Sequence, residues 1–163
     1  MAVATLETDL GPILLEATAR GLARVTLSAG REPAAPLAPD DDGARAHAHL
    51  ERAVAAIRRH LARGRERFDD LPLDLDRGLS PFTRAVLRCM RAIGPGAVRT
   101  YGQLAADVGR PGAGRAVGRA CGANPIPIVI PCHRVVASGG LGGFGCGLEW
   151  KKWLLRLEGR RIP

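Results

Sequence analysis

The sequence has no apolar run approaching the roughly 20 residues that a helix needs to cross a bilayer, so no membrane-spanning helix is predicted. No basic segment followed by an apolar stretch opens the chain, so we predict no secretory signal and expect a cytoplasmic protein. None of the four cysteines belongs to a C-x-x-C pair, and their spacing fits no zinc motif. Disulfides are not expected without secretion. The sequence therefore predicts four thiols in a reducing compartment, with no metal site and no cofactor.

Acidic residues are scarce in the second half of the chain. Residues 77–163 hold three acidic and 14 basic residues, whereas residues 1–76 hold 13 acidic and 10 basic ones. A basic half is typical of a surface that binds polyanions, and equally of a solvated basic face. The change of charge near Gly78 predicts two small domains that share a core, one over residues 1–76 and one over residues 77–163.

The first half alternates short apolar runs with turn residues, a pattern typical of strands. Strands are predicted near residues 3–8, 13–18, 23–28 and 68–75. Residues 30–42 are rich in proline and aspartate and are predicted to form a loop. Apolar residues at three- and four-residue steps predict a helix over residues 44–63. Three histidines of this helix are expected at the surface: His47, His49 and His60.

The second half begins with Ser80-Pro81, which is typical of a helix start. Thr100 is predicted to cap a short helix, and after the turn at residues 109–112 a further helix follows over residues 113–121. A helix, a tight turn and a second helix form a geometry that reads DNA. Many helical proteins that do not bind DNA also have such a pair.

Residues 124–136 read NPIPIVIPCHRVV. The apolar residues 126–130 predict a short buried strand, which cannot be central in a sheet because proline donates no ladder hydrogen bond. The glycine-rich residues 138–147 suggest a loop that needs close backbone approach. A last helix is predicted over residues 149–158.

A cysteine beside a histidine after a rigid apolar segment is a candidate activated thiol. The thiolate is the nucleophile, so an imidazole has to take the proton and a carboxylate has to orient that imidazole. Cys132 and His133 supply the pair, and Glu158 is the best candidate carboxylate because it lies on the apolar-faced last helix. The alternative is a buried structural cysteine beside a surface histidine, which is the commoner case for such a pair alone.

Four blocks together resemble the O6-alkylguanine-DNA alkyltransferase family, over about half of the chain, roughly residues 79–160. They are PCHRV at 131–135 with NPIPIVI before it, TYGQLA at 100–105, GRAVGRA at 114–120 and WLLRLEG at 153–159. The resemblance implies an α/β (α+β) fold. The N-terminal domain would be an RNase H-like small sheet with a helix, and the C-terminal domain would be mainly helical with a helix-turn-helix and the active-site cysteine.

The resemblance also implies catalytic roles. Cys132 is expected to accept the alkyl group, with His133 as its base through a bound water and Glu158 orienting that histidine. Tyr101 is expected to donate a proton to the guanine ring as the alkyl group leaves. Asn124 is expected to couple the DNA-reading helix to the active site by hydrogen bonds.

Roles in DNA binding follow from the same resemblance. Arg115 is expected to enter the duplex and fill the gap left by an extruded base. Ala113 and Gly114 would let their helix lie close in the minor groove. Other DNA contacts are expected from Thr100, Arg119 and Arg134. The alkyl pocket is expected to be lined by Val135, Phe144 and Gly145.

The implied function is direct-reversal DNA repair by a methylated-DNA–protein-cysteine S-methyltransferase. Each molecule would flip a base from the minor groove of double-stranded DNA and take its alkyl group once. O6-alkylguanine is the expected lesion, with O4-alkylthymine as a second one. We expect a monomer that is able to bind DNA cooperatively. Some vertebrate relatives hold zinc in the N-terminal domain, but residues 1–76 contain no cysteine, so no such site is predicted here.

Three other classes compete with this interpretation. A non-enzymatic DNA-damage-binding relative usually lacks the acceptor cysteine, which is present here. A cysteine hydrolase needs a histidine that meets the thiol directly and an oxyanion-stabilising element, and no such element is recognisable. A helix-turn-helix transcription factor would explain the charge but not PCHRV.

Overall fold

Three antiparallel strands form the N-terminal sheet in the computed structural model, which describes residues 1–28, 42–75 and 78–161. The strands lie in chain order as β1 (Ala2–Leu6), β2 (Ile13–Thr18) and β3 (Gly21–Leu27). The central strand β2 is almost wholly buried, and a bulge between Glu16 and Ala17 shifts its register against β3. The three strands predicted in this part of the sequence are therefore confirmed, with ends displaced by one or two residues.

Helix α1 (Gly43–Arg63) covers this sheet with an apolar face that includes Leu50, Ala53 and Ile57. Asp42 caps its start by accepting from the backbone N–H of Arg45, and Gly64 ends it in a left-handed conformation with φ of 65°. The helix predicted over residues 44–63 is confirmed. Apart from Asp42, the loop predicted over residues 30–42 lies outside the described residues.

The second half is mainly helical, as predicted. Its helices are α2 (Pro81–Arg91), α3 (Tyr101–Asp107), α4 (Gly114–Gly122) and α5 (Leu148–Leu157), with a short 3-10 helix over Cys132–Arg134. Ser80 caps α2 through its hydroxyl, which accepts from the N–H of Thr83. Thr100 caps α3 in a reciprocal arrangement with Gln103.

Two very short strands bring distant parts of the second half together. β4 (Arg99–Thr100) pairs in parallel with β5 (Val135–Val136), so Thr100 lies opposite Val136. Because α3 starts immediately after β4 and the 3-10 helix ends immediately before β5, this pairing places Tyr101 beside the segment that carries Cys132.

The two halves share one apolar core. Within the first half, Leu22 of β3 bonds through its backbone to Pro72 and Asp74. Between the halves, the N–H of Val25 donates to the carbonyl of Pro125. The Arg91 guanidinium donates to three carbonyls in the segment that precedes α2: Phe68, Asp69 and Leu71. The domain boundary predicted between residues 76 and 77 lies outside the described residues, but the contacts across it agree with a shared core.

Two predicted strands are wrong. Residues 126–130 form tight turns, and Ile128 has a positive φ of 72°, which is rare for a β-branched residue. Residues 68–75 contribute only an isolated bridge between Leu73 and Leu22, because Pro72 has no N–H to extend a ladder. The mixed α/β class is confirmed, and no helix within the described ranges is both long and apolar enough to cross a membrane.

Candidate active site

Cys132 opens into a cavity of about 300 Å³, at the lower end of the range of small-molecule sites, about 300–1,000 Å³. Its side chain is only 7% exposed, so a reactant reaches the sulfur through this cavity. Segments that are far apart in the sequence line the cavity together: Tyr101, Gly118, Cys121, Gly122, Cys132, Gly143, Phe144 and Gly145. The predicted pocket residues Phe144 and Gly145 and the predicted proton donor Tyr101 therefore lie beside the thiol.

The Tyr101 ring is held at the wall of this cavity by the glycine-rich loop. Its hydroxyl donates to the carbonyl of Gly143 over 3.4 Å. A Cβ on Gly142 would lie only 2.9 Å from Tyr101 Cε2, and Gly142 has a φ of +68°. Only glycine satisfies both conditions, because an L side chain there is strained as well as crowded. The loop therefore fixes the position of the phenol.

Asn124 connects the end of α4 to the thiol. Its Nδ2 donates to the carbonyl of Ile130 over 2.8 Å and to the sulfur of Cys132 over 3.2 Å. Its Oδ1 accepts from the N–H of Ile126 over 3.1 Å. Each polar atom of the amide is thus used, which sets its orientation. The coupling role of Asn124 stays a prediction, for which these hydrogen bonds supply the contacts.

His133 and Glu158 form a buried pair behind the thiol. His133 Nε2 lies 2.8 Å from Glu158 Oε1, and both side chains are fully buried. Arg134 contacts both carboxylate oxygens of Glu158, and the N–H of Gly96 donates to Oε2 over 3.1 Å. Burial opposes the charge of this carboxylate, but the polar contacts from His133, His60 and Arg134 outweigh it and hold the pKa of Glu158 well below its usual range.

Burial keeps both members of the Cys132–His133 pair uncharged in the resting protein. It raises the pKa of the Cys132 thiol to about 12, against the opposing hydrogen bond from Asn124. It lowers the pKa of His133 to about 4, although Glu158 acts in the other direction. Since the Glu158 carboxylate accepts from Nε2, His133 keeps the lone pair on Nδ1. That atom is buried and has no hydrogen-bond partner within the part of the chain that the structure describes, so it is free to accept a proton.

Helix α4 presents exposed basic side chains next to the cavity. Arg115 and Arg119 are both exposed on α4. Ala113 and Gly114, at the start of α4, and Thr100, at the start of α3, are half-buried. A Cβ on Gly114 would meet Tyr101 at an ordinary contact distance of 3.7 Å, so α4 begins directly against the residue that lines the cavity. Helix α4 thus starts beside Tyr101, and its Gly118 and Gly122 line the cavity into which Cys132 opens.

Two predicted site residues lie elsewhere. Arg134 is 3% exposed and is bound to Glu158 and to the carbonyl of Ile93, so it cannot contact DNA in this conformation. Val135 is fully buried and lies outside the cavity lining. In the 3-10 helix, Cys132 faces the cavity, whereas His133 and Arg134 are buried in the interior.

Two buried polar residues were missed. His60, predicted at the surface, is 0% exposed, and its Nε2 lies 3.3 Å from Glu158 Oε1. Lys151 is also fully buried and donates to the carbonyls of Val135 (2.7 Å) and Gly143 (3.0 Å). Burial lowers the pKa of Lys151 to about 8. A signal for Lys151 existed, since it lies three and four residues before two buried leucines of α5.

No group of three or more potential metal ligands occurs within residues 1–28, 42–75 and 78–161. All four cysteines lie within these ranges, and none forms a disulfide. The expected absence of a metal site stays a prediction.

Comparison with known proteins places this geometry in a family. A family profile described as "6-O-methylguanine DNA methyltransferase, DNA binding domain" matches residues 81–160. The methylated-DNA–protein-cysteine methyltransferase of Salmonella typhimurium is 57% identical over 88 residues, which are 53% of this chain and 52% of that protein. The match thus spans about half the length of this relative.

Other relatives match over the whole chain. The methylated-DNA–protein-cysteine methyltransferase of Methanosarcina acetivorans is 35% identical over 98% of this chain and 99% of its own length. The crystal structure of Mycobacterium tuberculosis OGT in complex with DNA superposes with a TM-score of 0.78 at 36% identity, covering 99% of this chain and 94% of that one. The enzyme class predicted from the sequence is the one for which these relatives are named. The chain belongs to the O6-methylguanine-DNA methyltransferase family, the O6-alkylguanine-DNA alkyltransferases.

Proposed function

We propose that this protein repairs alkylated DNA by moving an alkyl group from O6-alkylguanine onto Cys132, once per molecule. One observation carries the proposal. The sulfur of Cys132 faces a cavity bordered by the Tyr101 phenol, directly beside an exposed helix pair, with the His133–Glu158 pair behind it. A structural cysteine has no need of such a cavity, or of a hydrogen-bonded imidazole and carboxylate.

The transfer requires the thiol to lose its proton. Because both Cys132 and His133 rest uncharged, the proton passes from the sulfur to His133 Nδ1 through one water molecule, and the imidazolium formed is stabilised by Glu158. The hydrogen bond from Asn124 to the sulfur favours the thiolate. Histidine therefore acts as a base only during the reaction.

The thiolate then attacks the alkyl carbon. A carbon–sulfur bond forms as the bond between that carbon and O6 breaks, and the electron pair of the broken bond stays with guanine. Tyr101 donates a proton to the guanine ring, which makes guanine a better leaving group. The product on the protein is a thioether, which water does not cleave, so each molecule reacts once. O4-alkylthymine offers the same alkyl–oxygen linkage and is the second substrate that we propose.

The reacting base has to leave the duplex, because the O6 substituent inside stacked DNA cannot reach a thiol that is 7% exposed. We propose that α4 binds in the minor groove and that Arg115 fills the gap left by the flipped nucleotide. The closeness of Gly114 to Tyr101 supports this placement, and exposed Arg119 and half-buried Thr100 are available to the phosphates. Inserted side chains offset part of the few kcal/mol lost in unstacking.

The pocket wall suits a range of alkyl groups. Phe144 supplies an apolar surface, and a Cβ added at Gly145 would meet nothing within 4 Å. We propose that benzyl-sized groups fit beside Cys132. The protein acts as a monomer. It works in the reducing compartment that holds DNA, because the acceptor has to remain a thiol. Residues 1–76 form the supporting domain and residues 77–163 the reacting one.

The experiment is a transfer assay with duplex DNA that carries one O6-methylguanine. We expect restored guanine in the DNA and one methyl group on the tryptic peptide that contains Cys132, in equal amounts. Cys132→Ala is the matched control, which is expected to fold and bind the duplex without accepting methyl. Transfer to Cys132→Ala, or methyl found on Cys121 or Cys146 instead, would remove Cys132 as the acceptor.

A further inference from the structure

A histidine from the N-terminal half reaches the buried array that the proposed reaction uses. His60 lies in the last turn of α1 and is fully buried. Its Nε2 is 3.3 Å from Glu158 Oε1, the same oxygen that lies 2.8 Å from His133 Nε2. The Glu158 carboxylate therefore lies between His60 and the proposed base His133, although 73 residues separate the two histidines along the chain.

The packing of α1 against the end of α5 fixes this distance. The N–H of Gly64 donates to the carbonyl of His60 over 2.6 Å and turns the chain at the end of α1. A Cβ on Gly64 would lie 2.0 Å from the carbonyl oxygen of Leu157, so the two helix ends are in direct backbone contact. Leu157 immediately precedes Glu158. The backbone contact thus holds the end of α1, which carries His60, against the residue next to Glu158.

Stability alone does not explain a histidine at this position. Neither ring nitrogen of His60 has a hydrogen bond of normal geometry to another residue in the described ranges. Burying polar atoms without such bonds costs free energy. The ring packs against Phe68 at 5.4 Å between centroids, a contact that an apolar side chain could also make. The remaining feature specific to an imidazole is its approach to Glu158.

We propose that His60 is a positioning residue for the alkyl transfer, which holds the Glu158 carboxylate in the orientation that His133 needs. Arg134 and the N–H of Gly96 hold the same carboxylate from two other segments, and Oε2 is bound only to these two among the described residues. His60 approaches Oε1, the oxygen that His133 and Arg134 also contact. The N-terminal half then contributes to the chemical step as well as to the core. This inference rests on the proposed function of Cys132 and His133.

The test compares His60→Gln with His60→Met, which have similar length but differ in the N–H donor. Both are reacted with free O6-benzylguanine, which needs no DNA binding, and the maximal rate is separated from the half-saturating concentration. We expect the maximal rate of His60→Met to fall roughly tenfold, the lower end of the scale for polar contacts to a charged group, because the 3.3 Å approach to Glu158 is long. His60→Gln should recover most of the rate. Half-saturation and duplex affinity should stay unchanged in both variants.

His47→Met is the matched control, since His47 is exposed on the same helix. Circular dichroism establishes which variants fold, and His60→Phe replaces His60→Met if the latter does not. A folded apolar variant with the wild-type rate, or a glutamine variant as slow as the apolar one, overturns the inference. A wild-type protein that forms no benzyl adduct would refute the proposed function itself, so the two failures are distinguishable.

Discussion

Replacing Gly142 with alanine separates the positioning of Tyr101 from general stability. The backbone at Gly142 has a φ of +68°, and an added Cβ would lie 2.9 Å from Tyr101 Cε2, 3.0 Å from its hydroxyl oxygen and 3.1 Å from the backbone nitrogen of Ala137. The nitrogen belongs to the backbone and cannot move readily, so the phenol has to shift. The structure therefore predicts that Gly142→Ala displaces the proposed proton donor.

Two costs are expected from this one methyl group. The left-handed backbone conformation costs an L residue about 1–2 kcal/mol, which lowers the free energy of unfolding. Displacement of Tyr101 acts on the rate instead. A positioned acid contributes roughly 10²–10⁴-fold, so a partial displacement is expected to slow the transfer by at least about tenfold. A measurement of stability would not detect this loss of rate.

Two other glycines isolate these costs. Gly78 has a φ of +70° with nothing within 4 Å of an added Cβ, so Gly78→Ala carries the backbone strain alone. Gly139 has neither a positive φ nor a neighbour within 4 Å. Gly139→Ala is therefore the control without strain or crowding. Unfolding free energies and single-turnover rates with O6-benzylguanine are measured for Gly142→Ala, Gly78→Ala and Gly139→Ala. If Gly142→Ala matches Gly78→Ala in stability and keeps the wild-type rate, the loop does not position Tyr101.

Three further predictions concern Tyr101, Arg115 and His133. Tyr101→Phe should lower the single-turnover rate by roughly 10²-fold or more with little change in duplex affinity; an unchanged rate would reduce Tyr101 to packing. Arg115→Ala should slow repair in duplex DNA but not the reaction with free O6-benzylguanine, and should reduce the salt dependence of binding by about one counterion. Equal losses of rate with both substrates would show that Arg115 supports the fold or the active site, and Arg119 would become the candidate for filling the gap in the duplex. Finally, the pKa of His133 is lowered to about 4, so its protonated form, which cannot accept a proton, accumulates only near that pH. The rate of the folded protein should be flat around neutral pH and fall towards pH 4; a fall centred near pH 6.5 would contradict the buried, neutral base.

Local sequence signals predicted most of the helices. Ser80-Pro81 marked the start of α2 and the apolar periodicity of residues 44–63 marked α1, because capping and amphipathicity depend on neighbouring residues alone. Local sequence signals gave the wrong prediction for residues 126–130, which form turns and not a strand. A short apolar run between prolines fits a buried strand or a buried turn, and the positive φ of Ile128 has no sequence signature.

Cys132 and His133 could be recognised because they are contiguous in the PCHRV motif. The burial of His60 and Arg134 could not be predicted, since it depends on one carboxylate, Glu158, that lies 98 and 24 residues further along the chain. A basic residue beside a nucleophile suggests an anion contact, and only tertiary structure shows that the anion is a side chain of the same protein. Buried ion partners are thus the part of the site that periodicity and motifs leave open.

The adduct on Cys132 tests the central claim most directly. Intact-mass measurement after incubation with excess O6-benzylguanine should show one benzyl increment per protein molecule, located on the peptide with Cys132, with one guanine released and no further turnover. More than one guanine released per protein, or an unmodified Cys132 in a folded protein, would contradict single-turnover alkyl transfer to this thiol.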